Sequence, residues 1–249
     1  MLNRFLKSIG LSAATAVAMC AAPSPALAEE VSTTECTRYQ QPEFIFSTGE
    51  HAIAGDVRWL KDTLESMVAE GSRFKPGETL QIGPMVLKLE AAEGGKLRLT
   101  EPDMKAMPIK FINSVATTLL MVRRQRDTVW SVDAKGVPVF VPIVQPILVG
   151  AKALQSPLLY MMKVPYGKDG ALTWLLIDGT AKQAPSPGDM RLMSVYEVLI
   201  TRSDMLDFLA LPDDYEVTLQ SRHEFAVTKK GEPVKLVKGS YLDLLRQVK

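Results

Sequence analysis

Histidine and cysteine are nearly missing from this chain, whose 249 residues hold two of each. His51 and His223 lie far apart, with no second histidine at ligand spacing, so a zinc site would need folding to gather both with carboxylates. No metal and no cofactor is therefore expected. Cys36 has no histidine near it in sequence and no G-x-S-x-G elbow occurs, which leaves nucleophilic catalysis without a signature. An excess of one charge is also lacking: 29 Lys+Arg face 28 Asp+Glu, a formal net +1. Near-neutrality with both signs interspersed argues against nucleic acid as the main partner, because phosphate binding needs concentrated positive charge. Beyond residue 28 no apolar run reaches bilayer-spanning length, and the richest, Val137 to Val149, is broken by Pro138, Pro142 and Pro146.

What the chain does have is a leader. Arg4 and Lys7 form a basic start, Leu11 to Cys20 an apolar run, and Ala26-Leu27-Ala28 a small-residue close just before Glu29-Glu30. This is the pattern of a cleavable export signal, with the cut expected after Ala28 and a periplasmic destination. A lipoprotein signal acylated at Cys20 ranks second, because Met19 stands where a small side chain is wanted. An uncleaved anchor ranks lower still, since Pro23 and Pro25 interrupt the run. Cleavage would leave 221 residues and remove Arg4 and Lys7, taking Lys+Arg from 29 to 27 against 28 acids, a net charge of about −1. Cys36 would then be a lone thiol, unable to form an internal disulfide. It reads as an incidental residue in a loose terminus, with a dimer or envelope scaffold linked through Cys36 as the alternative.

The hydropathy pattern predicts an α+β fold in two regions: 29–127, helical with a β-hairpin, and 128–249, a small mixed half of short antiparallel strands. Glu29 to Gln41 reads as an irregular arm. Asp56 to Gly71 reads as a helix with Val57, Leu60, Leu64, Met67 and Val68 on one face, Asp56 capping its start and Gly71 stopping it. Leu87, Leu89, Leu97 and Leu99 alternate with charged residues around Gly94-Gly95, a hairpin pattern. A second helix is expected from Thr100, kinked at Pro108, striped by Phe111, Val115, Leu119 and Val122, and closed by Arg123, Arg124 and Arg126. Cations at a helix C-terminus complement its dipole, and an anion site there is the sharper reading. Strands are then expected at Val129–Val132, Val137–Val141, Leu158–Val164 and Leu172–Ile177, with a seam between about 127 and 157. Further on come an apolar run Val195 to Ile200, a short helix Ser203–Leu209, strands Glu216–Gln220 and Glu224–Thr228, a turn at Lys229–Glu232 and a capped helix from Ser240.

Two patterns touch on catalysis. Ser72-Arg73-Phe74-Lys75 places a lysine three residues after a serine, but Pro76-Gly77 follow at once and no companion element appears. The carboxylate pairs Asp213-Asp214 and Glu101 with Asp103 suit turns and first helical turns better than acid–base work. A hydrolase acting on cell-wall or small periplasmic substrates through these groups is the alternative to a binding protein.

Six stretches occur in an order that resembles a bacterial family described as immunity-protein-33-like: Phe74–Gly83, Leu97–Pro108, Arg124–Val129, Ser194–Val198, Phe208–Pro212 and Gly239–Leu242. The resemblance spans about 74 to 242 and implies a helical and hairpin front half joined to a small α+β back half. It also implies a protein partner, with a toxin as the expected target. Two departures stand out. The family's Cys and acidic, His-containing loop after the tryptophan are replaced here by Leu175-Leu-Ile-Asp-Gly-Thr180 following Trp174, and members look cytosolic whereas this chain carries an export leader. No functional residue is therefore carried over. Contact with a partner is expected on the loops 166–170, 178–189 and 211–214, chiefly through Tyr166, Arg191 and Tyr215, because Tyr and Arg dominate interface hot spots.

Overall fold

A computed structural model describes residues 29–50, 52–105, 107–183 and 185–248. The leader and His51 lie outside the described residues.

The fold is mixed α+β, built on two sheets. The first contains β1 (Glu30–Ser32), β2 (Phe44–Ser47), β3 (Thr79–Ile82), β4 (Met85–Ala91), β5 (Leu97–Pro102) and β6 (Phe111–Ile112). Its order is β1-β2-β5-β4-β3, with β6 paired to β5 and only β2/β5 parallel. The second contains β7 (Pro146–Gly150), β8 (Leu159–Tyr166), β9 (Ala171–Asp178), β10 (Met190–Ser194), β11 (Tyr215–Leu219), β12 (Phe225–Lys229) and β13 (Glu232–Pro233). Its order is β10-β7-β9-β8-β11-β12-β13, with β7/β9 the parallel pair. Among the described residues four α-helices accompany them: α1 (Ala54–Ala69), α2 (Ala116–Val132), α3 (Val195–Thr201) and α4 (Tyr241–Leu245).

Helix α1 buries Leu60, Leu64 and Val68, the expected stripe at helical spacing. Gly71 ends it as expected. At φ +105° it supplies the left-handed residue after the helix, its N–H donates to the Val68 carbonyl, and the Ser72 N–H donates back to Met67, a Schellman motif. Asp56 does not cap the start. It lies inside the first turn, buried, and pairs with Arg123 at 2.9 Å.

The arm at 29–41 is ordered rather than irregular: β1 pairs with β2, and a 3-10 turn spans Cys36–Tyr39. Cys36 is accordingly at the core, completely buried, and burial pushes its thiol up to about 11. Beside it Thr33 donates to Glu43; burial raises the Glu43 carboxyl, and hydrogen bonds from Thr33 and from the Thr37 and Cys36 amides outweigh that and hold it below its ordinary value. A thiol so placed presents no surface for a cross-link. Native protein treated with a thiol reagent at pH 8 should leave Cys36 unmodified, and the same treatment in denaturant should modify it fully; fast native labelling would contradict the burial.

The larger revision concerns α2. Thr100 and Pro102 still belong to β5, Phe111 sits in β6, and the helix begins only at Ala116. It then runs on to Val132, so Val129–Val132 is its last turn and not a strand. A region boundary at 127 falls inside this one helix. The three arginines are therefore mid-helix, and Arg124 is drawn into a buried pair with Asp207 instead of complementing a helix end. Val137–Val141 is irregular, and the strand of that neighbourhood is β7, whose Pro146 and Gly150 hid it. Val195 to Ile200 forms α3, fixed by a capping box in which Ser194 accepts the Glu197 N–H and Glu197 accepts from Ser194.

Candidate interaction surface

Of three tryptophans, Trp174 is buried at 1 % exposure with its indole N–H donating to the Leu209 carbonyl, while Trp59 and Trp130 are 36 % and 46 % exposed. Both exposed ones belong to the pair α1 and α2. The two helices meet through Asp56, which lies 2.9 Å from Arg123 and 3.9 Å from Arg126. On α2, Leu120, Arg123, Asp127 and Trp130 recur at three- and four-residue intervals and so share the outward side. On α1, Trp59 follows Asp56 by three residues, on the same side of the helix. Ile53 and Leu120, both exposed, face each other across a depression of ≈ 250 Å³ that also takes in Asp56 and Arg123.

The chemistry of this strip changes along its length. An apolar end (Ile53, Leu120) leads to an ion-paired centre (Asp56, Arg123, Arg126) and then to the tryptophans. The Arg126 guanidinium stacks 5.0 Å from the Trp130 ring centroid, which holds the ring as a platform, and the Trp130 indole N–H donates to the Gly136 carbonyl. A rigid aromatic with its polar atom already satisfied loses little entropy and little hydration when covered.

The residues expected to contact a partner are not brought together. Tyr166 ends β8 and is exposed; Arg191 is exposed on the edge strand β10, opposite Val149. Tyr215 is 2 % exposed, turned inward on β11 with the Lys229 ammonium 4.8 Å over its ring, so it belongs to the core and not to a contact surface. Alternation explains this: Tyr215 shares its side of β11 with the buried Val217 and Leu219. Sequence reasoning missed Trp59 and Trp130. The available signal is that Trp59 falls off the α1 stripe; the strand-like composition of residues 129–132 conceals Trp130.

The catalytic alternatives lose their geometry. Ser72 to Lys75 is an irregular stretch between α1 and β3, so no helical turn stacks the lysine over the serine. Asp213 and Asp214 each pair with a lysine, Lys163 at 2.9 Å and Lys230 at 3.4 Å. Glu101 is fully buried under the start of α2. His223 meets the Leu245 carbonyl through Nδ1 at 3.0 Å, and among the described residues no three His, Cys, Asp or Glu side chains are grouped to hold a metal.

No protein-family model, no curated protein and no solved structure matches this chain. The immunity-like resemblance rests on its six stretches alone. Several of them fall at turns and caps: Gly77 and Gly83 take positive φ, Ser194 and Glu197 form the capping box, and Gly239 at φ +72° leads into α4.

Proposed function

We propose that this chain is an exported periplasmic protein that works by binding another protein, in the manner of an immunity protein that neutralises a toxin, and that the α1–α2 strip is its contact surface. One observation carries the reading: both exposed tryptophans flank an arginine-centred ion-pair cluster on one helix pair. Trp and Arg are the residues in which binding energy concentrates at protein interfaces. The leader supports the compartment, since a blocker must share the compartment of what it blocks.

The test is recovery of the tagged chain from periplasmic extract with its co-purifying protein, followed by binding measurements on the isolated pair. The double variant Trp59→Ala, Trp130→Ala should weaken that binding by roughly 30-fold or more, the loss typical of hot-spot truncation, while its thermal midpoint stays close to the parent's. Tyr166→Ala, at the end of β8 in the seven-stranded sheet, should leave binding unchanged. Equal affinity of the double variant, or repeated recovery of no protein, would overturn the proposal. Sequencing of the recovered N-terminus should begin at Glu29.

A further inference from the structure

Strand β1 is an edge of the six-stranded sheet, with β2 on one side and, among the described residues, no strand on the other. Its ladder to β2 is antiparallel, and the bonds at its two ends show which main-chain groups the ladder uses. The Thr48 N–H donates to the Glu29 carbonyl and the Thr33 N–H to the Phe44 carbonyl. In an antiparallel pair alternate residues bond across, so Glu29, Val31 and Thr33 direct their main chain at β2, while Glu30 and Ser32 direct theirs away. Among the described residues nothing bonds the outward N–H and C=O groups of Glu30 and Ser32. The next outward group, the Thr34 N–H, is taken by Glu65 of α1 at 2.7 Å. The open edge therefore stops where the helix reaches it.

Away from that contact the first half of α1 stands off the strand and leaves a groove of ≈ 720 Å³, with Val31 of β1 and Val57 of α1 among its walls. Side chains alternate along β1. Val31 and Thr33 lie on the core side, half-buried and buried, whereas Glu30 and Ser32 lie on the opposite face, where they meet Arg98 at 2.8 Å and Lys96 at 3.3 Å. A strand laid along this edge thus has an apolar side, over Val31 and Val57, and a polar side, beside Glu30 and Ser32. Charge at the groove is unequal. Glu29, Glu50, Asp62 and Arg58 line it without an ion-pair partner among the described residues, and Lys61 is drawn off to Thr34 at 3.0 Å and Glu65 at 3.8 Å. Three carboxylates therefore face one unpaired guanidinium, and acid still exceeds base when cleavage after Ala28 adds an ammonium at Glu29.

We infer that the groove takes an extended, basic peptide segment of a partner, which adds to the sheet as a further strand beside β1. The main chain selects this occupant: alternating donors and acceptors on an open strand edge are matched by another strand, whose own groups repeat at the same spacing. The cavity fixes the side chains. Alternate residues of the added strand enter between Val31 and Val57, which suits apolar side chains of valine size, and the residue between them points to the polar face. Basic residues flanking this core answer the surplus of carboxylates at the groove. The groove shares Gly49, Glu50 and Ala52 with the depression beside Leu120, so it adjoins the α1–α2 strip, yet it requires no contact through Trp59 or Trp130.

Fluorescence anisotropy with a labelled heptapeptide, Lys-Lys-Val-Thr-Val-Lys-Lys with blocked ends, tests this on the chain as recovered from expressing cells. The peptide should bind with a dissociation constant on the order of 100 μM. Replacing its lysines by glutamates, or methylating its three central amides, should weaken binding at least about tenfold. Ser32→Pro removes an outward donor and spares the β1–β2 bonds, since proline is tolerated where the N–H faces away from the ladder. Ala54→Trp, at an exposed position lining the groove, fills it. Each variant should weaken binding at least about tenfold, whereas Trp59→Ala, Trp130→Ala should leave it unchanged, which separates this test from that of the strip. Should Ser32→Pro fail to fold, Ala54→Trp and the methylated peptide decide. No binding at about 1 mM chain, equal affinity for the acidic or the methylated peptide, or full affinity in a folded Ser32→Pro or Ala54→Trp would each overturn the inference. So would a dimer that excludes the peptide and dissociates in Ser32→Pro, because a second copy would then hold the edge.

Discussion

Asp207→Ala should lower the unfolding free energy by roughly 3–5 kcal/mol, the loss expected when one partner of a buried ion pair is removed. Asp207 is wholly buried in the 3-10 turn Ser203–Phe208 and takes two hydrogen bonds from Arg124, at 2.5 Å through Nε and 2.8 Å through Nη2. Burial by itself would lower the Arg124 pKa; the Asp207 carboxylate outweighs it and holds the guanidinium above its ordinary value. Tyr241 from α4 donates to the same carboxylate at 3.2 Å, and Arg222 reaches it at 3.4 Å. Removing the carboxylate therefore leaves a guanidinium in the interior with no counter-charge, and frees a phenol beside it. A domain of this size has only about 5–15 kcal/mol in total, so the variant should be marginal at 37 °C. Urea unfolding measures the loss. The double variant Arg124→Met, Asp207→Leu should regain most of it, because an apolar pair of similar volume carries no desolvation cost. A loss below about 1 kcal/mol for Asp207→Ala would mean that water reaches the pair.

That network also shows why the fold was only partly legible. Hairpins with clear alternation and glycine turns could be read directly: Leu87 to Leu99 gave β4 and β5, and Leu158 to Ile177 gave β8 and β9. Helix α1 was legible from its stripe. Helix α2 was not, because its buried side is partly polar and its outward side carries the apolar Leu120 and Trp130. Thr118, Gln125, Thr128 and Ser131 are buried there beside Leu119, Met121 and Val129. A helix with polar residues on its buried side and apolar ones on its outward side blurs the 3.6-residue signal on which sequence reading depends. Its β-branched C-terminus, Thr128-Val129, then imitates a strand. The α1–α2 strip was obscured for the same reason, since half of it lies on α2. The partner of Arg124 is 83 residues away, and no local pattern announces it. Strand β10 and helix α3 divide at Ser194, where the Ser–Glu spacing of a capping box was present in sequence but embedded in an apolar run.

Glu101→Ala should cost about 3–4 kcal/mol, far above an ordinary cap. The Glu101 carboxylate, at 0 % exposure, accepts the Thr117 N–H at 3.0 Å, the Thr118 N–H at 2.7 Å and the Thr118 hydroxyl at 2.8 Å. It is thus the N-terminal anchor of α2, supplied by β5 instead of by the residue before the helix, and Val115 at the N-cap position has no side-chain acceptor of its own. Hydrogen bonds to a charged group contribute about 1.5–3 kcal/mol each when their loss strands a buried donor, and the aligned helix dipole adds up to about 2 kcal/mol in a partly buried site. These contributions overlap, which sets the total near that of two bonds. Ser194→Ala at the half-buried start of α3 should cost only about 1 kcal/mol. Glu101→Gln should fall between, at about 2 kcal/mol: the amide keeps one acceptor and turns a donor toward the other threonine N–H. Urea midpoints for the three variants give the order directly, and a Glu101→Ala loss no larger than that of Ser194→Ala would refute the anchoring role. The consequence reaches the α1–α2 strip. Glu101 ties α2 to the six-stranded sheet and Asp207 ties it to the half of the chain that carries the seven-stranded one, so Leu120, Arg123 and Trp130 are held on a helix fixed on both sides. Glu101→Ala should accordingly weaken partner binding in step with its loss of stability, whereas Trp59→Ala, Trp130→Ala weakens binding with stability retained.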